Sequence, residues 1–161
     1  MTAMQKVTTF LWYDDQAEQA ARYYVSLLPN SRILEVERFG PDVPGPESGT
    51  ILVRFELDGV EYQALNGGPA FSLTEAVSIS VLCDDQAEVD RLWDALIADG
   101  GSPSQCGWLK DRWGLSWQIV PRQLIELQHD PDPARAKRAT DAMLRMAKLD
   151  IAQLQAAAAD A

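Results

Sequence analysis

Two stretches of the chain share one order of apolar and polar positions, a strand pattern followed by a helix pattern. Residues 7–13 are rich in β-branched and aromatic residues, and residues 76–83 alternate small polar with apolar ones, so both predict β-strands. Apolar residues at helical spacing follow each strand, at Ala17, Ala20, Ala21, Tyr24 and Leu28 and again at Val89, Leu92, Trp93, Leu96 and Ile97. The pattern predicts two strand–helix units.

The five residues that join strand to helix are the same in both units. Asp-Asp-Gln-Ala-Glu occupies positions 14–18 and recurs at positions 84–88. We expect an Asp of each copy to cap its helix, and the Glu lies in the first turn, where the helix dipole favours a negative charge. Pro29-Asn30 and Gly100-Gly101 are expected to end the two helices. This internal repeat predicts two related modules in one chain.

Further strands are predicted after each helix, and Asp58-Gly59 is typical of a tight hairpin turn. Their predicted ranges are 32–39, 50–58 and 60–66 in the first half and 104–110 and 115–120 in the second. Strand, helix and then several strands is not the alternation of a doubly wound sheet. We therefore expect an α+β domain over residues 1–129, made of two βαβββ modules at about 5–68 and 75–121. They would form a curved mixed sheet with a cleft.

The remaining residues, 130–161, form a predicted helical extension. Asp132 is suited to cap it and Pro133 to take its first position, so one long helix over 134–159 is expected, with a frayed alanine-rich end. Its apolar stripe favours packing on its own domain, and covering a homodimer partner is the alternative. The stripe consists of Met143, Met146, Ala147, Ile151 and Leu154.

Charge and composition narrow the classes of partner. The chain has 161 residues and a formal net charge of −10, which argues against binding to nucleic acids or anionic membranes. No apolar run approaches the roughly 20 residues that a membrane helix needs, and residues 1–10 lack the apolar core of a signal peptide. Cys83 and Cys106 form no CxxC motif, which predicts two reduced thiols. We expect a cytoplasmic protein.

Several segments together resemble the PhnB-like family of the vicinal oxygen chelate (glyoxalase/bleomycin resistance/dioxygenase) superfamily. The resemblance covers roughly residues 5–128 and is most specific in residues 10–13, 64–69, 83–93 and 106–121. It implies the paired βαβββ fold and a homodimer. Members of this branch often carry the label demethylubiquinone 3-methyltransferase.

Metal ligands of the superfamily's enzymes fall, by this resemblance, on Thr9, Gln63, Ser78 or Ser80, and Gln118. Amides and hydroxyls alone are weak ligands for zinc, nickel, iron or manganese, which prefer imidazole, thiolate or carboxylate. The single histidine, His129, lies after the last predicted strand. A methyltransferase would need a glycine-rich turn after its first strand, and Tyr13-Asp14-Asp15 has none. We therefore predict no metal and no cofactor.

The candidate site is a small-molecule cleft lined by aromatic and amide side chains. Flat or cationic ligands stack on tryptophan, and glutamine amides both donate and accept hydrogen bonds. The predicted lining is Trp12, Gln63, Ser80, Trp108, Trp117 and Gln118. Each Trp could instead fill the core, and the two Gln could satisfy each other and the strand backbone.

Three functions remain open from the sequence. The first is metal-independent binding of a small hydrophobic or aromatic molecule. The second is an enzyme of the superfamily, a lyase, isomerase or transferase, which would need a titratable group facing the ligand. Glu56 and Glu61 flank the hairpin turn, where their charge is typical of a solvated strand edge. The third is a dimeric structural protein without a ligand.

Overall fold

The computed structural model describes residues 5–160. The chain divides between Leu73 and Thr74 into two compact units, and each contains one of the two predicted modules. The C-terminal helices belong to the second unit.

The first unit is a four-stranded sheet with one helix. Its elements are β1 (Thr9–Tyr13), α1 (Ala17–Leu27), β2 (Arg32–Arg38), β3 (Ile51–Leu57) and β4 (Val60–Asn66). The strand order is β1-β4-β3-β2, with β1 parallel to β4 and the other pairs antiparallel. Asp58 and Gly59 have φ angles of 49° and 78° and form the predicted hairpin turn between β3 and β4.

The second unit repeats the same topology. Its module consists of β5 (Ser78–Cys83), α2 (Gln86–Ile97), β6 (Ser102–Pro103), β7 (Trp108–Lys110) and β8 (Ser116–Pro121). The strand order β5-β8-β7-β6 matches that of the first unit. The edge strand β5, which precedes α2, is parallel to β8, as β1 is to β4. The predicted pair of βαβββ modules is confirmed, and each forms its own four-stranded sheet.

One predicted strand of the second unit is wrong. Residues 104–110 do not form a continuous strand, because Cys106 and Gly107 have left-handed φ angles of 60° and 85°. Their backbone N–H groups donate to the carbonyls of Met146 and Ala147, both at 2.8 Å. The C-terminal segment thus takes hydrogen bonds that a sheet partner would otherwise make.

The two repeated motifs start their helices in different ways. Asp85 caps α2 as predicted, since its Oδ1 accepts from the Glu88 N–H at 2.8 Å. The predicted cap of α1 is wrong, because that helix follows Gln16 and has no side-chain cap of its own. Instead, Asn66 at the end of β4 accepts from the Ala17 N–H at 2.7 Å. Asn66 lies beside Tyr13 in the parallel β1–β4 pair, which brings it to the start of α1.

Over residues 130–160 the C-terminal extension is two helices, α4 (Pro133–Met143) and α5 (Ile151–Ala159), not the single long one predicted. A further helix that was not predicted, α3 (Arg122–Gln128), precedes them directly after β8. Asp132 caps α4 as expected, and Asp150 starts α5 by accepting from the Gln153 N–H at 2.9 Å. Leu149 lies in the segment between α4 and α5, where it is fully buried and clusters with Leu124 and Leu154.

The apolar side of this extension packs on its own unit. Met143 and Met146 lie against the Leu124–Leu149–Leu154 cluster, which agrees with the core-packing interpretation of the stripe. The expected fraying of the alanine-rich end is wrong. Ala158 is fully buried, and Arg138 donates to the carbonyls of Ala157 and Ala158.

None of the helices between residues 5 and 160 has the length and apolar character that a membrane crossing requires. Cys83 and Cys106 are both free thiols, as predicted.

Candidate functional site

Each sheet has one face against its crossover helix and an opposite face, here called the distal face. In the first unit Phe55 lies 6.4 Å from Tyr24 of α1 and stacks on Tyr62 at 5.6 Å between ring centroids. Val53, Phe55 and Leu57 therefore face α1 and are buried. Side chains alternate along a strand, so the residues between them point to the distal face.

The centre of the first distal face is a row of four register partners. Phe10 on β1 pairs with Gln63 on β4, Gln63 with Arg54 on β3, and Arg54 with Glu35 on β2. The Phe10 side chain is 53% exposed. The Gln63 amide has no hydrogen-bond partner among residues 5–160, so it is available to a ligand.

Trp12 lies one row further along the same face, opposite Leu65. Its Nε1 donates to the Gly68 carbonyl at 2.9 Å, and its ring meets Phe71 edge-on at 5.0 Å. A Cβ on Gly67 would lie 2.3 Å from the indole, so the absence of a side chain there lets the ring lie against the backbone. The structure brings two predicted site residues, Trp12 and Gln63, to one face.

A buried ion pair occupies the other side of Gln63. Arg54 donates through Nη2 to Glu61 Oε1 at 2.5 Å and through Nη1 to Glu35 Oε2 at 3.2 Å. The Arg54 and Glu61 side chains are only 10% and 6% exposed. The hydrogen bond to Glu61 is the main cause of a raised pKa of Arg54, so the guanidinium stays charged.

The interpretation of Glu61 as a solvated edge residue is therefore wrong, whereas Glu56 does make a half-exposed pair with Arg32 at 3.2 Å. Sequence reasoning also missed Arg54. Its signal was a single charged residue between the apolar Val53 and Phe55 of a strand. Arg54 points to the face of the sheet opposite Val53 and Phe55, and a charged side chain buried there requires a partner on that same face. The sequence does not identify the partner.

The second distal face has an equivalent row. Ser80 on β5 pairs with Gln118 on β8, and Gln118 pairs with Trp108 on β7. Gln118 Nε2 donates to the Ser78 hydroxyl at 2.9 Å, and Trp108 is half-buried. Three predicted site residues of this unit thus lie side by side.

Trp117 does not share that face. It is 1% exposed and belongs to the opposite side of β8, with the buried Ile119. Its Nε1 donates to Asp111 Oδ2 at 3.0 Å. The structure thus places Trp117 in the core of the second unit, so it is not beside Gln118. Thr9 likewise lies on the α1 side of its strand, where its register partner is Tyr62.

Gln63 and Gln118 occupy the same place in the two modules. Each is on the last strand of its module, between a residue of the module's first strand and one of its third strand. The flanking side chains are Phe10 and Arg54 for Gln63, and Ser80 and Trp108 for Gln118. The repeat therefore conserves the central amide while its neighbours differ.

The residues at these positions do not fit a catalytic metal. Within residues 5–160 no three His, Cys, Asp or Glu side chains form a group able to hold a metal ion. The central donors, Gln63, Ser80 and Gln118, are neutral amides and a hydroxyl, which bind divalent transition metals weakly. A thiol nucleophile is also unfavourable at Cys83, since burial raises the pKa of its thiol to about 12.

Comparison with known proteins places this architecture in a family. Residues 5–120 match the family model described as 3-demethylubiquinone-9 3-methyltransferase. The chain belongs to this family. The PhnB protein from Bacillus cereus is 33% identical, covers 73% of this chain and 99% of its own length, and superposes with a TM-score of 0.66. These matches confirm the resemblance to the PhnB-like family.

Two more distant structures support the fold alone. Protein PA1353 from Pseudomonas aeruginosa is 24% identical, with a TM-score of 0.59 over 73% of this chain and 98% of its own. The fosfomycin resistance protein FosX from Listeria monocytogenes is 14% identical, with a TM-score of 0.51 over 78% of this chain and 97% of its own. No protein of curated function matches the sequence. Helices α3–α5 begin after the last residue that matches the family model.

Proposed function

We propose that this member of the 3-demethylubiquinone-9 3-methyltransferase family binds a small hydrophobic or aromatic molecule, without a metal, on the distal faces of its sheets. The observation that carries the proposal is the central glutamine of each face. Gln63 has a free amide beside the exposed ring of Phe10, and Gln118 lies between Ser80 and the half-buried Trp108. An amide next to an aromatic surface is the usual lining of a small-molecule site.

Binding titrations of the full chain against a set of planar aromatic compounds test this proposal. Removing one neutral hydrogen bond costs about 0.5–1.5 kcal/mol, so Gln63→Ala or Gln118→Ala is expected to weaken binding roughly 2- to 12-fold. Gln19→Ala is the matched control, because Gln19 is exposed on α1, away from the distal face. Equal losses in the control variant, or no binding of any aromatic compound, would contradict the proposal.

An enzyme remains the second candidate, and Glu61 is the observation in its favour. This carboxylate is 6% exposed and has one oxygen without a hydrogen-bond partner among residues 5–160. Such a group is suited to accept a proton from a bound substrate. Turnover of a bound compound that is lost in Glu61→Gln, with binding retained, would favour the enzyme over a binding protein.

A homodimer is part of the same proposal. Val7 and Val60, both in the first unit, are apolar side chains with 79% and 49% exposure, which a second copy of the chain could cover. Light scattering coupled to size exclusion should give twice the chain mass of 17.8 kDa. A mass equal to one chain at micromolar concentration would refute this part.

A further inference from the structure

The ion pair on the first distal face has one unused donor and one unused acceptor. Arg54 Nε and Glu61 Oε2 are buried and have no hydrogen-bond partner among residues 5–160. Both belong to side chains that are at least nine-tenths buried. Buried polar groups are normally paired, so each of these two atoms has the capacity for one further hydrogen bond.

The positions of Glu35 and Glu61 on either side of Arg54 explain why two atoms of the ion pair have no hydrogen-bond partner in the described part of the chain. Arg54 lies on β3 and reaches Glu35 on β2 with Nη1 and Glu61 on β4 with Nη2. A guanidinium stretched between carboxylates on both sides has its two terminal nitrogens in use and its Nε left over. The three charges sum to −1, which disfavours a negatively charged ligand.

The groups beside this pair are a free amide and an aromatic ring. Gln63 is the register partner of Arg54, and Phe10 is the register partner of Gln63 on the far side. Opposite residues on one face of a sheet have Cβ atoms about 4.5–5.5 Å apart, so Phe10 and Arg54, on either side of Gln63, are about 9–11 Å apart. A two-ring ligand with a hydrogen-bonding edge is long enough to reach from one to the other. The Gln63 amide makes no hydrogen bond with residues 5–160 that a ligand beside it would have to break.

We infer that the distal face of the first unit binds a planar aromatic molecule that carries an N–H donor next to a carbonyl acceptor, as in a lactam. Glu61 Oε2 accepts the ligand N–H, Arg54 Nε donates to the ligand carbonyl, and the ring lies on Phe10. This inference rests on the proposed function and names the ligand class for it.

Other ligand classes leave part of the pair unsatisfied. An aromatic hydrocarbon satisfies neither atom, an organic cation satisfies Glu61 alone, and an organic anion meets the net negative charge of the cluster. A lactam edge presents one donor and one acceptor, so it can pair with both unused atoms.

Three related probes test the inference by calorimetric titration of the full chain: 2-quinolone, 1-methyl-2-quinolone and naphthalene. The N-methyl compound keeps the ring and the carbonyl but lacks the N–H donor. Removing a hydrogen bond to a charged group lowers the affinity about tenfold or more. We expect 2-quinolone to bind at least about tenfold tighter than its N-methyl analogue, and naphthalene to bind more weakly than both.

Variants assign the preference to the ion pair. Glu61→Gln is expected to reduce the ratio of the affinities for 2-quinolone and 1-methyl-2-quinolone to about threefold or less, since it removes the charge of the acceptor. Glu56→Gln is the matched control, because Glu56 is directly opposite Glu61 in the sheet and pairs with Arg32. Arg54→Lys keeps the charge and removes the Nε donor, so it should weaken both quinolones; it replaces Glu61→Gln if that variant does not fold.

The outcomes separate the inference from the proposed function. Equal affinity for the two quinolones, or an unchanged ratio in Glu61→Gln, overturns the lactam preference while other aromatic ligands still support the binding function. Binding of other aromatic compounds but of neither quinolone overturns the inference as well. Failure of every aromatic compound overturns both.

Discussion

Replacing Gly67 by alanine tests whether the position of Trp12 depends on a missing side chain. The Cβ of alanine at this position would lie 2.3 Å from one indole carbon and 2.4 and 2.5 Å from two others. Contacts below about 3 Å require one of the groups to move. Gly67 does not have a left-handed φ angle, so the cost of the substitution is steric and not a matter of backbone conformation.

The expected magnitude combines three contributions. Overpacking costs about 1–3 kcal/mol, and loss of the Trp12–Gly68 hydrogen bond costs about 0.5–1.5 kcal/mol. The smaller entropy of the unfolded chain with alanine offsets about 0.4–1 kcal/mol. We therefore expect Gly67→Ala to lower the free energy of unfolding of the first unit by about 2 kcal/mol.

Equilibrium denaturation, followed by tryptophan fluorescence, measures this change. Gly40→Ala is the control, because no atom lies within 4 Å of its added Cβ and its φ is not left-handed. In a Trp12→Leu background the cost of Gly67→Ala should largely vanish, since the ring is no longer there. An equal cost with and without the indole would refute the steric explanation, as would a Gly67→Ala variant no less stable than Gly40→Ala.

Three further predictions concern the second unit. Leu149→Ala should destabilise this unit by about 2–5 kcal/mol in chemical denaturation, because Leu149 is fully buried between α4 and α5. Leu144→Ala, at an exposed position, is the control and should have little effect. Asp111→Asn should lower stability by about 1–3 kcal/mol, since Asp111 accepts hydrogen bonds from two backbone N–H groups and the Trp117 indole, and an unaltered melting curve would contradict this role. Burial raises the pKa of Cys83 to about 12, so the unfolded chain loses its thiol proton first and stability should fall as the pH rises from about 9 towards 12. Cys83→Ser should abolish that part of the pH dependence, and Cys106→Ser, at the half-buried thiol, should retain it.

The strands and helices of the two modules could be predicted because their signals are local. The Asp-Asp-Gln-Ala-Glu repeat, the alternation of residues 76–83 and the Asp58-Gly59 turn each depend on a few neighbouring residues. The family resemblance then implied the paired βαβββ fold, and the order of the strands came from the structure. These features correspond closely to the observed ranges of β1–β5, α1 and α2.

The candidate site was predicted only in part, because a site depends on which face of a strand each residue occupies. Gln63, Ser80, Trp108 and Gln118 lie on distal faces, but Trp117, adjacent to Gln118 in the sequence, is on the buried side. A shift of one residue moves a side chain to the other face of a sheet. Sequence patterns that consist mostly of apolar residues do not settle that choice.

The sequence by itself therefore determined the two modules, their helices and turns, and the amide at the centre of each distal face. Only the tertiary structure decided the contacts between residues distant in the chain. Among these are the cap that Asn66 provides for α1, the pairing of Arg54 with Glu61 and Glu35, and the burial of Leu149 between α4 and α5. The physical reason is that local periodicity reflects neighbours three or four residues apart, whereas these interactions depend on strand register and on the packing of separate elements.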